Sequence, residues 1–455
     1  MKRLLQSGFF LMLGFFMRME ASTGRAQPNL IFILADDLGW ADVGFHKGNV
    51  PTPNLDNLAA EGVELSQHYV YPVCSPTRAA LLSGRYATRF GVTTPQNERA
   101  YRWEITTLAH ALKSVGYATA LVGKWHLGSL AEQGPNHFGF DHSYGSLAGG
   151  VSPWNHFYKK GRFSRTWHRN EEFLEETGHV TDLLADEAVR WIQGRGAAPF
   201  FLYLPFTAVH LPLKEPREWV ERVPAGVQGE IARHYGASVM HFDDAVGRVL
   251  EALKKMALLE NTIVVFTSDN GGSTAENNDS QYPDDQCPGG PLPGNNRPLR
   301  GQKGDLHEGG IRVPTLVYAP GRLKAGKFEG VAHVCDWMPT LCSVAGYFPG
   351  QDLRWDGIDL WPQLTGAAPV KPRAVYMASP GFNARMLREA DWKLIEPRAP
   401  AGIAPGQKPR VMELYDIAMD PFETKNLASS MPDRVAELTE KLREVSKSDG
   451  DASAK

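Results

Sequence analysis

The sequence predicts an α/β protein, with a large mixed, mainly parallel sheet sandwiched by helices and a small C-terminal antiparallel α+β subdomain. Three observations carry this expectation. Continuous apolar runs at residues 29–35, 117–122, 200–204 and 262–266 read as central strands buried on both faces, because a strand with one wet face would alternate. Helical patterns, among them 180–192 and 231–258, alternate with strands from about residue 28 to 365, as in a sheet with helices on both faces. Past a linker at 362–372, short strand patterns at 374–378, 384–387, 392–395 and 413–415 precede an amphipathic helix at 432–447.

A chain of 455 residues fits one large domain, here 27–365, with a smaller one at 366–455. The net charge of −3 holds no basic excess that would point to nucleic acid, and no like-charge block suggests a binding tail. Lys2 and Arg3 ahead of an apolar core at 9–16, then small residues up to Ala26, read as a signal peptide over 1–26. The mature protein is then expected in the periplasm or secreted. The apolar core is too short for a membrane span and no second such stretch follows. Setting Cys74 aside for chemistry leaves Cys287, Cys335 and Cys342, an odd number, so stability is not expected to depend on disulfides. On one helix Cys335 and Cys342 would stand about 10 Å apart, too far to bridge.

The first strand ends in Asp36-Asp37 and the fourth in Asp269-Asn270-Gly271-Gly272. Sites in open α/β sheets gather beyond the carboxyl ends of strands, so these acids are expected to meet. Two like charges 4 Å apart repel by about 4 kcal/mol at an effective dielectric near 20, so three carboxylates together demand a cation or protonation. Carboxylates with an amide oxygen are hard ligands that suit Ca2+ or Mg2+ over zinc. The second strand leads into Gly123-Lys124-Trp125-His126-Leu127-Gly128 and the third towards His210. Arg300-Gly301-Gln302-Lys303-Gly304 follows the fourth.

Cys74-Ser75-Pro76-Thr77-Arg78 sets a cysteine at the mouth of a short helix, with Ser75 as N-cap, Pro76 at the first helical position and Gly84 as terminator. A helix N-terminus offers unpaired N–H groups and about half a positive charge, which suits a tetrahedral oxyanion ester and a nucleophile attacking it.

Together these motifs resemble the type I, formylglycine-dependent sulfatases, most closely the arylsulfatase B-like enzymes, in the alkaline-phosphatase-like superfamily. C-x-P-x-R runs on into Leu82-Ser83-Gly84-Arg85, with Ser83 where the signature commonly has Thr. The resemblance covers nearly the whole mature chain. It implies that residues 27–365 are the catalytic domain and that a formylglycine-generating enzyme converts Cys74 to 3-oxoalanine. It also implies one Ca2+ held by Asp36, Asp37, Asp269 and Asn270, with the modified Cys74 as a further ligand. In the family mechanism a hydroxyl of the hydrated aldehyde, its acidity raised by Ca2+ and Arg78, attacks sulfur. His210, helped by Lys303, serves the leaving alcohol, and His126 with Lys124 takes the remaining hydroxyl proton. The implied substrate is a sulfated carbohydrate, of N-acetylgalactosamine type or a galactan sulfate. Other readings are a phosphate or phosphonate ester hydrolase of the same superfamily, an arylsulfatase with a non-sugar substrate, a thiolate enzyme using unmodified Cys74, and a silent carbohydrate-binding relative.

Two long segments, 145–170 and 271–298, are expected to be irregular and to shape specificity. The first carries Trp154, Asn155, His156, Trp167, His168 and Arg169, types that suit sugar stacking and anion pairing or that pin a loop to the core. Asp243 and Asp244 are expected at the surface of the 231–258 helix, and the last residues are expected to fray.

Overall fold

A computed structural model describes residues 26–278, 282, 286–398 and 411–454; the signal-peptide reading lies, but for Ala26, outside them. In chain order the strands are β1 (Asn29–Ala35), β2 (Val63–Tyr69), β3 (Ala118–Lys124), β4 (His142–Ser146), β5 (Trp167–Arg169), β6 (Glu172–Phe173), β7 (Phe200–Pro205), β8 (Thr262–Ser268), β9 (Leu316–Tyr318) and β10 (Gly326–His333). These form one ten-stranded sheet in the order β10-β2-β9-β8-β1-β7-β3-β4-β5-β6. From β8 through β1, β7 and β3 to β4 every pairing is parallel. β9 runs antiparallel to both its neighbours, and β5 and β6 close the far edge antiparallel. The four apolar runs read from the sequence are thus the adjacent strands β8, β1, β7 and β3, and their carboxyl ends share one edge.

Burial on both faces explains why those runs do not alternate. Leu30, Phe32 and Leu34 of β1 pack under the layer that includes the helices Cys74–Ser83, Leu108–Ser114 and Trp337–Ala345. Ile31, Ile33 and Ala35 face the helices Pro53–Glu61, Val180–Gln193 and Glu230–Lys255. Each large apolar side chain so buried contributes about 1.5–3 kcal/mol before entropy is set against it.

Four further strands, β11 (Ala374–Ala378), β12 (Ala384–Glu389), β13 (Trp392–Pro397) and β14 (Glu413–Asp416), make a separate antiparallel sheet in sequence order. Its buried residues, Val375, Tyr376, Met386 and Leu394 among them, belong to the same apolar cluster as Phe32. Polar ties reinforce the contact. Lys393, fully buried on β13, pairs with Glu308 at 2.9 Å and Glu423 at 2.7 Å. Arg300 donates to the Tyr415 hydroxyl at 2.7 Å and the Glu423 carbonyl at 3.1 Å, and His307 meets Glu413 at 2.9 Å.

Three expectations are corrected. Asp243 is not at the surface: it is 2% exposed, and its carboxylate accepts from the backbone N–H groups of Asn54 at 3.1 Å and Leu55 at 2.9 Å. It thereby satisfies donors at the start of the neighbouring helix Pro53–Glu61, a use that requires burial. Residues 145–170 are not wholly irregular, because Trp167–Arg169 is β5 and its Trp167 and His168 are buried in the sheet edge. The chain end does not fray up to residue 454: Gly450 and Ala452 donate backbone hydrogen bonds to Thr88 and Arg89, and Asp451 pairs with Arg85 at 2.9 Å. Cys74, Cys335 and Cys342 form no disulfide. Among the described residues no helix is long and apolar enough to cross a membrane.

Candidate active site

The loops leaving β1, β3, β7 and β8, together with the helix Cys74–Ser83, converge on one buried cluster. Asp36 and Asp37 follow β1 and Asp269 and Asn270 follow β8, in strands paired residue for residue from Asn29 with Thr262 to Ala35 with Ser268. That register brings the acids together: the Asp37 N–H donates to Asp269 Oδ1 at 3.2 Å, and Asn270 Nδ2 donates to Asp37 Oδ1 at 2.7 Å. One oxygen each of Asp36 and Asp269 and the Cys74 sulfur lie within 4.8 Å of one another, as do ligand atoms of Asp36, Asp37 and His210.

The helix bearing Cys74 begins two residues earlier than expected. Val73 is its N-cap and Cys74 its first residue, while the Ser75 hydroxyl donates to the His126 carbonyl at 3.0 Å and accepts from the Gln96 N–H. Ser75 therefore ties the Cys74 helix to the β3 loop instead of capping it. Gly84 ends the helix with φ 69°, as read from the sequence.

Cations interleave with the acids. Arg78, fully buried, donates to Asp269 Oδ2 through Nη2 at 2.7 Å and to the Lys124 carbonyl at 2.7 Å. Lys124 Nζ donates to Asp36 Oδ2 at 2.6 Å, and Lys303 Nζ to Asp37 Oδ2 at 2.8 Å. Burial works against the charge of both lysines, but Asp36 and Asp37 hold their pKa values above the ordinary lysine range. Burial and the neighbouring Asp269 push Asp36 well up, whereas Lys303 and His210 outweigh burial and bring Asp37 down to about 2. Burial raises the Cys74 thiol to about 12, so an unmodified thiol is protonated at neutral pH.

The two imidazoles are neutral. Burial, then Lys124 and Arg78, lower His126 well below its ordinary range, and its Nδ1 has no hydrogen-bond partner among the described residues. Burial and Lys303 bring His210 down to about 4; its Nδ1 lies 2.5 Å from the Leu211 carbonyl, so Nδ1 carries the proton and Nε2 faces Asp37 at 3.8 Å. Gly149 closes over His126, where a Cβ would fall 2.3 Å from Nε2. Asp37 and His126 sit at φ 63° and 58°, left-handed conformations that cost non-glycine residues about 1–3 kcal/mol and gather at functional sites.

A calcium-type cation fits this cluster. Asp36 Oδ1 and Asn270 Oδ1 are buried and have no hydrogen-bond partner among the described residues, which leaves two oxygens open to a cation. Every candidate residue read from the sequence is drawn into the same pocket. The sequence reading missed Glu276, which grips Lys303 Nζ at 2.7 Å, and Tyr282, which meets Tyr158 edge-on at 5.8 Å. No local pattern marks either; only the length of the 271–298 segment hinted at them.

The sulfatase family profile matches residues 28–347, and this chain belongs to the sulfatase family; it is a sulfuric ester hydrolase. It is 31% identical to arylsulfatase J of Mus musculus over 94% of this chain and 78% of that protein. It is 35% identical to N-acetylgalactosamine-6-sulfatase of Canis lupus familiaris over 74% of this chain and 66% of that protein. The crystal structure of Ps i-CgsB in complex with k-i-k-neocarrahexaose superimposes with TM-score 0.81 at 30% identity, covering 93% of this chain and 94% of that one.

Proposed function

We propose that the protein hydrolyses a sulfate ester on a sulfated carbohydrate, of N-acetylgalactosamine type or a galactan, releasing inorganic sulfate, and that it does so with Ca2+ and a formylglycine at position 74. The observation that carries this reading is the convergence of Cys74, three acids, Asn270 and three cations at one strand edge. The substrate class is supported by the relatives, one named for N-acetylgalactosamine 6-sulfate and another crystallised with a carrageenan hexasaccharide.

Asp36, Asp37, Asp269 and Asn270 would hold the cation, which when bound polarises a sulfate oxygen and favours the deprotonated nucleophile. Oxidised and hydrated, residue 74 supplies two hydroxyls on one carbon, one to attack sulfur and one to expel the sulfate afterwards. Arg78 fixes the first turn of the nucleophile's helix against Asp269. Lys124 and Lys303, cationic and nearly or fully buried, face the anionic ester and stabilise charge growing on its oxygens. Neutral His126 beside Lys124 is suited to take a proton from residue 74. His210 Nε2 faces the leaving-group side; it must gain a proton to act as acid, and the anionic substrate pairing with Lys303 favours that gain. We also infer export through the segment 1–26 and maturation by a formylglycine-generating enzyme.

The test is turnover of 4-nitrophenyl sulfate and 4-nitrophenyl phosphate by protein co-produced with that enzyme, with the mass of the peptide containing residue 74 measured alongside. The expected result is a strong preference for sulfate and a peptide bearing the aldehyde. Preference for the phosphate ester, or full activity with an intact thiol, would overturn the reading.

A further inference from the structure

A cavity of 620 Å³ lies outside the catalytic cluster, lined by Trp154, Lys214, Arg217, His234 and Gln286 among others. We propose that it is a second sugar-binding subsite, which holds a remote residue of the glycan chain whose sulfate ester lies at position 74. This rests on the sulfated-carbohydrate reading above.

Two chain segments run from the catalytic cluster to this cavity. One passes from Gly149, against His126, and Gly150, against Tyr282 and His210, to Trp154. A second passes from His210 to Lys214 and Arg217. Asn278 ties the second to Pro288 of the cavity wall: its Oδ1 accepts from the Leu213 N–H at 2.6 Å, and its Nδ2 donates to the carbonyls of Leu213 at 3.0 Å and Pro288 at 2.7 Å. Only a few residues of chain thus separate the cavity from His210 and Gly150.

The lining suits a sugar chain. Trp154 stays 38% exposed although its Nε1 donates to the Lys214 carbonyl at 2.8 Å and its ring meets His179 edge-on at 5.2 Å. An indole fixed at its polar edge yet still open to solvent is a stacking surface with little entropy left to lose. Glu215 in the lining is engaged by His241 at 2.8 Å and His179 at 3.6 Å, so its charge is compensated within the protein. Lys214, Arg217 and Glu230 also line the cavity, and Arg217 pairs with Glu221 at 2.6 Å. The size lies within the range of small-molecule pockets.

The test compares kcat/KM of the matured full chain on a carrageenan hexasaccharide and a chondroitin 6-sulfate hexasaccharide with that on N-acetylgalactosamine 6-sulfate, using 4-nitrophenyl sulfate as reference. At least one hexasaccharide is expected to exceed the monosaccharide by about tenfold or more, mainly through KM. Trp154→Ala and, as a second variant of the lining, Lys214→Ala are expected to lower the hexasaccharide-to-monosaccharide ratio by about tenfold and severalfold, respectively. An unchanged ratio in both variants, or no hexasaccharide preferred, overturns the subsite while aryl sulfate turnover keeps the sulfatase reading intact. Loss of aryl sulfate turnover in the parent protein sinks that reading and the subsite with it.

Discussion

Arg78 and Asp269 meet through two guanidinium nitrogens on a single carboxylate oxygen, Nε at 3.1 Å and Nη2 at 2.7 Å, with both side chains shut off from solvent. The other Asp269 oxygen accepts from the Asp37 N–H, so this pair links the Cys74 helix to both acid-bearing strands. Removing one partner strands a buried charge, at a cost of about 3–5 kcal/mol. Arg78→Ala is expected to lower aryl sulfate kcat by about 100-fold or more and to shift the urea midpoint down. A variant with parental stability and rate would show that the pair supports neither.

Cation removal gives a second test. Chelation is expected to lower the melting temperature and abolish turnover, and Ca2+ at about 100 times its Kd restores about 2.7 kcal/mol of stability. Asn270→Ala, which deletes one of the two partnerless buried oxygens, is expected to raise the Ca2+ concentration needed for half-maximal stabilisation. A melting temperature indifferent to both chelator and Ca2+ refutes the metal assignment.

A pH effect is expected away from the catalytic cluster. His241 sits between Glu215 at 2.8 Å and Asp182 at 3.2 Å, and these acids outweigh burial and raise it to about 9. A folded pKa above the unfolded value of about 6.5 means that the protonated form stabilises the fold. That contribution, on the order of 3 kcal/mol, is complete below about pH 6.5 and lost as pH rises through about 9. His241→Gln is therefore expected to destabilise strongly at pH 6 and much less at pH 10 in denaturant titrations. Equal destabilisation at both would assign His241 a packing role alone.

Lys393→Met is expected to cost about 3–5 kcal/mol, because Glu308 and Glu423 would be left buried without their shared cation. Lys393→Met combined with Glu423→Gln is expected to recover part of the loss. Recovery distinguishes an electrostatic cause from lost packing, which the double variant would deepen.

The strand ends were legible because a doubly buried strand must be apolar throughout and must then turn, so Asp36-Asp37 and Asp269-Asn270 stand out against Leu30–Leu34 and 262–266. The C-terminal strands were legible for a related reason, short apolar stretches broken by turns. What escaped depended on partners distant in the chain. Asp243 looks like any acid on an amphipathic helix until Asn54 and Leu55, far earlier in sequence, present their N–H groups to it. The local pattern around Ser75 favours a cap, yet the His126 carbonyl outcompetes the helix for its hydroxyl. Glu276 carries no signature at all, since its role exists only where Lys303 arrives from another loop.

The ties from Arg300 to Tyr415 and Glu423, from His307 to Glu413, and from Glu308 to Lys393 bracket Lys303 on both sides. Lys303, which the proposed function sets against the ester, is therefore splinted by the last quarter of the chain. Under the proposed function, a protein trimmed after the large sheet would lose this brace on Lys303, so the C-terminal sheet would serve catalysis without touching the substrate.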